Sequence, residues 1–269
     1  MIPVEDHTFE HIAVRRAGRV IEVALARPAA RNALQAVTIR ELTEVARGLR
    51  LRSGIAAVVL TGGPDIFSAG ADVADFENRI RAPTLLETRE VVMAGPDLCR
   101  AWEEIEAVTI VAVEGYCVGG ACALALACDF RILGAGAFLR LPEVALGVNM
   151  SWRTVPRVTA LVGPARAKRF VIFGDRTDAA TCLDWGLADE VVDDGQALST
   201  AHAWADRIAG LPPLPVRMTK EQVNATAHAL SAATSYMDRD QYLVTSRTRD
   251  FAEGRDAFLR RRTPEFRGD

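Results

Sequence analysis

The sequence predicts an α/β chain with crossover connections, closed by a helical C-terminal region, and three observations carry that prediction. Short apolar runs such as "IAAVVLTGG" and "VTIVAVEG" have the length and β-branched content of buried strands. They alternate with longer stretches in which apolar residues return at helical intervals, the pattern of strand–helix–strand units. From about residue 156 onward the pattern is almost entirely helical.

In chain order, residues 9–26 read as two short strands, "EHIAVRR" and "VIEVALA", joined by a hairpin-like turn at Ala17, Gly18 and Arg19. After "RPAARNAL", Leu34, Val37, Leu42, Val45 and Leu49 recur at roughly helical spacing until Ser53 and Gly54 stop them. "IAAVVLTGG" is then a fully buried strand with a glycine exit. Residues 73–107 begin polar and irregular and become helical, "VTIVAVEG" is a second apolar strand, and "ACALALACDFRILG" and "AFLRLPE" supply a further helix and strand. Helices follow in "GPARAKRFVIFG", "DAATCLDWG", "ALSTAHAWADRIAG", "PVRMTKEQVNATAHAL" and a last long stretch from 231 to 262. Pro212, Pro213 and Pro215 mark a boundary between an α/β body, residues 1–210, and a helical part, residues 211–269.

Composition narrows the function. A chain of 269 residues with 49% hydrophobic and 25% charged residues can bury a substantial core. Its net charge of −3, from 32 basic and 35 acidic side chains, creates no global field for nucleic acid or an anionic membrane, so neither is expected as a partner. The run Arg260, Arg261, Arg262 is the local exception, either a solvated helix face or an anion site. Five cysteines, an odd number with no CxxC pair, read as reduced, buried small hydrophobes of a cytoplasmic protein, with no metal site. The N-terminal "MIPVEDHTFEHIAVRR" carries charges where a signal peptide needs an apolar core. The apolar window 107–128 is interrupted by Glu114 and three glycines, which suits a buried strand and helix better than a membrane span.

Two strand-to-helix junctions look alike, "VVLTGGPDIFSAGADV" and "VEGYCVGGACALALACDF". Helix N-termini expose unpaired N–H groups and the positive end of the macrodipole, and glycines let a carbonyl oxygen come close to them. One N–H from each junction, converging on a single oxygen, would make an oxyanion hole; losing one such donor typically costs ~3 kcal/mol of transition-state stabilisation. The small apolar residues after Gly120 would keep the place dry and the local dielectric low. Spacing alone favours the plainer reading, tight turns before packed helices. His7, His11, His202 and His228 are scattered over surface or helical positions without a nucleophile motif, so a hydrolase triad is unsupported.

"RPAARNAL", "LTGGPDIFSAGADV", "VEGYCVGGACALALACDFRIL", "LPEVALGVN" and "TDAATCLDWGLADEVV" occur in the order and approximate spacing of the enoyl-CoA hydratase/isomerase (crotonase) superfamily, which the chain resembles over roughly residues 9–262. The resemblance implies a spiral of ββα units with a helical C-terminal trimerisation region, a homotrimer or dimer of trimers, and an acyl-CoA substrate; coenzyme A belongs to the thioester and no separate cofactor is implied. It places the oxyanion-hole N–H groups on Ala71 and Gly120. Hydratases of the family hold a water between two glutamates. The second matches Glu143, but the first falls on Ala123, and a methyl group neither accepts nor delivers a proton. A single glutamate suffices to shift a double bond, as in the family's isomerases, or to serve a related reaction such as retro-aldol cleavage. Hydration of a 2-enoyl-CoA, with a water held by Ser151, is the alternative, and a non-catalytic acyl-CoA-binding scaffold is a further one.

A second departure follows Glu143, where hydratases have a proline- and glycine-rich turn and this chain has "VNMSWRTVPR". The alignment puts Asn149, Ser151, Trp152 and Arg153 along the acyl pocket. Trp152 shapes the acyl site, stacks on an aromatic acyl group or is ordinary core; Ser151 orients a water or substrate oxygen or is only a helix N-cap; Arg153 reads as a salt-bridging surface residue. Tyr242 either reaches the acyl pocket or packs in the core or an interface. For coenzyme A the resemblance implies the backbone around Ser68 and Ala69 at the adenine. It also implies Arg27, Ala30, Arg31, Gly70 and Asp72 near the pantetheine and phosphates, and Phe258 and Arg261 in the closing C-terminal segment.

Overall fold

Alternation inside the apolar runs decides how the chain layers itself. The computed structural model describes residues 3–72 and 84–269, without the side chain of Ala232. β1 (Ile12–Ala17) and β2 (Val20–Leu25) form the expected antiparallel hairpin, turning at Gly18 with φ 59°. β2 pairs in parallel with β3 (Ala57–Thr61), β3 with β4 (Val108–Val113), β4 with β6 (Phe130–Gly134), and β6 with β9 (Glu190–Val192), completing a six-stranded sheet in that order. A three-stranded sheet stands beside it: β5 (Tyr116–Val118) runs parallel to β7 (Phe138–Arg140), which is antiparallel to β8 (Thr177–Asp178).

The helices are α1 (Ala36–Leu49), α2 (Leu85–Glu103), α3 (Gly120–Ala125), α4 (Thr154–Lys168), α5 (Ala179–Trp185), α6 (Ala197–Ala209), α7 (Pro213–Ala227), α8 (Ser231–Ser235), α9 (Asp238–Thr245) and α10 (Arg249–Arg260). Successive strand residues face opposite ways. Val58, Leu60, Val111 and Val113 therefore join α1, α2 and α3 in one core, while Ala57, Val59, Val108, Ile110 and Ala112 meet Ala197, Ala201 and Ala205 of α6 in another. Each large aliphatic side chain buried in this way stabilises the fold by ~1.5–3 kcal/mol. α7 is tied to the N-terminal ends of the central strands: Arg217 donates to Arg52 O and Ile55 O before β3, and Lys220 donates to Ala107 O before β4 and pairs with Asp129 before β6.

The region read as almost entirely helical contains the strands β8 and β9, two and three residues long and too short to show a period. The apolar run after Gly119 is helical for only six residues and continues to Cys128 as buried turns. The stretch 231–262 is three helices, the last capped by Thr248, whose hydroxyl accepts Phe251 N–H. Pro213 is the first residue of α7, a position where its missing N–H costs nothing. The polar, irregular start expected at 73–83 lies outside the described residues.

Asn32 fastens the first candidate loop. It is 1% exposed and left-handed (φ 49°), accepts Arg27 N–H, and donates to Gly62 O and Phe67 O. Its own carbonyl accepts the Ser68 hydroxyl, which in turn accepts Gly70 N–H. Asn32→Ala strands these buried groups and is expected to cost about 2–4 kcal/mol. Urea unfolding should show a lower midpoint with an unchanged slope; an unaltered midpoint contradicts this role.

Candidate functional site

The two glycine-bearing junctions meet at one cavity. It has a volume of about 280 Å³ and is lined by Ala69 and Ala71 from the first loop, Gly119 and Gly120 from the second, and Glu143 from the turn after β7. Gly70 (φ 89°) has no room for a side chain, since a Cβ there would lie 2.4 Å from Val118 O, so the loops are in backbone contact. An isolated parallel bridge between Ser68 and Cys117 holds them in register. Gly119 (φ 57°) precedes Gly120, the first residue of α3. Neighbouring amides are occupied: Gly119 N–H donates to Arg140 O, Gly70 N–H to Ser68 Oγ and Asp72 N–H to Leu34 O. The N–H groups of Ala71 and Gly120 have no partner among the described residues, and both residues face the cavity.

The helix behind them is dry. Ala121, Cys122, Ala123, Leu124 and Ala125 are fully buried, and burial pushes the Cys128 thiol up to about 12. Ala123 is among the buried core residues and does not reach the cavity.

Glu143 is the one carboxylate lining the cavity among the described residues. The residue keeps some surface, but its carboxyl is enclosed: Oε2 is buried without a hydrogen-bond partner among the described residues, and Oε1 lies 2.9 Å from where a Cβ on Gly119 would be. Loss of hydration raises its pKa to about 7, against smaller opposing effects of its own backbone N–H and the Arg140 guanidinium. Arg140 is held by a bond from Nε to Gly174 O. Tyr242, from α9, lines the same cavity, and burial and the charge of Glu143 hold its phenol protonated well above its ordinary range.

The remaining expected site residues divide. Ser151, Trp152 and Phe258 line the cavity, and Ala69 reaches it from the loop that also carries Gly70 and Asp72. Asn149 does not: its amide oxygen accepts the Thr245 hydroxyl on α9. Ser151 is buried but does not cap α4, whose N-cap is Arg153. Arg153 is half-buried, not a surface ion pair, and donates its backbone N–H to Asp238 at 2.6 Å. Ser68 is fully buried with N–H, C=O and hydroxyl all engaged inside the protein, so it is scaffold for the loop. Asp72 accepts from Gln35 at 3.0 Å, and Arg27 donates to Ala33 O. Ala30 and the exposed Arg31 sit in the adjoining turn, where Arg31 O receives Ala69 N–H.

Of the arginine run, Arg262 pairs with Glu253 and Asp256 and Arg260 with Asp256, while Arg261 is exposed and away from the cavity. Arg255 from α10, unmarked by any motif, lines the cavity. The histidines bond elsewhere, His11 being buried against Thr38 and not on the surface. Among the described residues no helix is long and apolar enough to cross a membrane.

A family model described as enoyl-CoA hydratase/isomerase matches residues 15–269. The chain is 31% identical over 260 residues to the 2,3-dehydroadipyl-CoA hydratase of Escherichia coli (strain K12), covering 97% of this chain and 100% of the relative. It is 34% identical over 263 residues to the probable enoyl-CoA hydratase echA8 of Mycobacterium tuberculosis, covering 96% and 98%. Among solved structures it is similar to an enoyl-CoA hydratase from Mycobacterium avium subsp. paratuberculosis K-10, with a TM-score of 0.86 at 24% identity over 97% of this chain and 100% of the other. It is also similar to Pseudomonas aeruginosa DspI, with a TM-score of 0.76 at 30% identity over 97% and 99%.

Proposed function

Because the chain belongs to the enoyl-CoA hydratase/isomerase family and has its crotonase-type fold, we propose that it isomerises the double bond of an enoyl-CoA with Glu143 as its only acid/base. The observation that carries this reading is that, among the described residues, Glu143 is the one carboxylate at the cavity, set against the buried methyl of Ala123. The thioester oxygen would accept Ala71 N–H and Gly120 N–H. Negative charge collecting on that oxygen makes a C2 proton of a 3-enoyl-CoA removable, and ionised Glu143 takes it. The resulting dienolate is reprotonated at C4 by the same carboxyl, leaving a 2-enoyl-CoA and the carboxylate restored. Retro-aldol cleavage would draw on the same enolate.

Support for coenzyme A binding comes from Phe258 at the cavity and from Arg27 and Arg31 beside the first loop. The exposed Leu230, Tyr236 and Val244 support a homotrimer or dimer of trimers, and five buried free cysteines suit a cytoplasmic enzyme. Hydration is the second reading, favoured by relatives that carry hydratase names.

Incubation with trans-2- and trans-3-enoyl-CoA in deuterated water separates these. Migrated unsaturation with deuterium uptake is expected, whereas a hydroxyacyl product replaces isomerisation with hydration. The base must be ionised to act, so kcat/KM should rise about tenfold per pH unit below an apparent pKa near 7 and level off above it. A flat profile from pH 5.5 to 8 removes Glu143 from that role.

A further inference from the structure

Trp152 stands beside the reacting centre without taking part in it. Its indole is bracketed by two glycines on different helices: a Cβ on Gly95 of α2 would come within 2.2 Å of the ring, and one on Gly120 within 2.7 Å. Bonded carbon skeletons do not interpenetrate in this way, so both positions leave space that this ring occupies. The backbone beneath is equally constrained. Trp152 (φ 63°) and Arg153 (φ 56°) are consecutive left-handed residues, a conformation that bulky side chains adopt only when the surroundings impose it.

Those surroundings are specific. Asp238 of α9, 6% exposed, accepts Arg153 N–H through Oδ2 at 2.6 Å. Ser151 O accepts both the N–H and the hydroxyl of Thr154, and Arg157, itself paired with Glu103, donates to Arg153 O. These bonds hold the backbone that carries the indole, and the two glycines leave the space that its ring fills.

We infer that Trp152 is the specificity-determining residue of the acyl site, confining the substrate to short acyl groups that are flat near the thioester, with Asp238 as the positioning residue that holds the wall. The inference rests on the acyl-CoA reading above. A thioester oxygen at Gly120 N–H lies next to the ring that packs on Gly120, so the first acyl carbons must pass it. Beside the polar groups of Glu143, Ser151 and Tyr242, Val92, Val148 and Met150 give the lining an apolar part on which the length of an acyl chain can be read. A conjugated acyl group lies along the indole face; a longer saturated chain runs into it.

The test measures dissociation constants of unreactive saturated thioesters, butyryl- to decanoyl-CoA, and so does not depend on which reaction occurs. Each methylene that enters apolar surroundings should tighten binding about fourfold, and in the native protein the gain should stop once the chain reaches the wall. In Trp152→Ala the gain should continue, raising the decanoyl-to-butyryl affinity ratio at least about tenfold, with Trp152→Phe, which keeps a ring for the fold, in between. Asp238→Ala should shift the ratio in the same direction, and Asp238→Asn, whose amide oxygen still accepts Arg153 N–H, should restore it. An unchanged chain-length profile in Trp152→Ala and Trp152→Phe, with binding retained, overturns this inference alone. Failure of the native protein to bind any of these thioesters overturns the acyl-CoA reading and this inference with it.

Discussion

Glu143→Gln is expected to lower turnover by at least about a hundredfold, to leave acyl-CoA affinity nearly unchanged, and to make the protein more stable above pH 7. The first two effects follow from geometry. Glutamine keeps the shape of the side chain beside Gly119 but cannot take a proton, and the amides of Ala71 and Gly120 remain to hold a thioester oxygen. A protein that merely stores acyl-CoA has no turnover to lose.

The stability effect follows from linkage. Burial raises the folded pKa from 4.5 to about 7, so the native state holds this proton more tightly than the unfolded chain does. The group's stabilising contribution is complete below pH 4.5 and is lost as pH rises to 7. Above that, the enclosed charge costs up to about 3 kcal/mol, which glutamine avoids. Differential scanning calorimetry should show a melting difference near zero at pH 4.5 that grows to several degrees at pH 8. Turnover retained by the variant removes Glu143 as the base; an equal melting difference at both pH values removes the buried charge.

What could be foreseen was whatever local chemistry demands. The glycine pair is legible in part because Gly119 takes φ 57°, which few other residues adopt, whereas the reason for glycine at 120, the ring of Trp152 packed against it, left no local mark. The buried strands are legible because their apolar runs are uninterrupted. Contacts made across long stretches of chain left no such mark. Nothing in "VVMAGPDLC" tells that Gly95 makes room for an indole 57 positions on, nor does "MDRDQY" tell that Asp238 holds the turn beneath that indole. The resemblance sets the backbone around Ser68 and Ala69 at the adenine; what it does not tell is that the Ser68 N–H, carbonyl and hydroxyl are all bonded within the protein. The arginine run was partly legible: Asp256 precedes Arg260 by one helical turn, the spacing at which opposite charges meet. Arg262 needed the chain reversal after Arg260 to reach Glu253.

The Ala71 amide can be tested without touching a side chain. Incorporating lactate in place of Ala71 converts the amide between residues 70 and 71 into an ester, keeping the methyl group and removing only the N–H. Loss of one oxyanion donor should reduce kcat by about 10²–10³, roughly 3 kcal/mol. A proline would remove the same hydrogen but add a ring where the backbones of the two loops touch, and a side chain on Gly120 would press on Trp152.

The ester has one side effect. Its carbonyl, that of Gly70, accepts Leu34 N–H more weakly, which costs about 1 kcal/mol of stability at most. A second ester at Ala135 controls for this, since that N–H donates to Val192 O between β6 and β9, far from the cavity. It should lose at least as much stability, because it gives up that bond outright and weakens Gly134 O as acceptor of Ala137 N–H, and it should lose no activity. If both esters fold and both keep native kcat, charge in the transition state is not borne by the Ala71 amide, because an N–H that binds developing charge cannot be deleted without slowing the step that creates it.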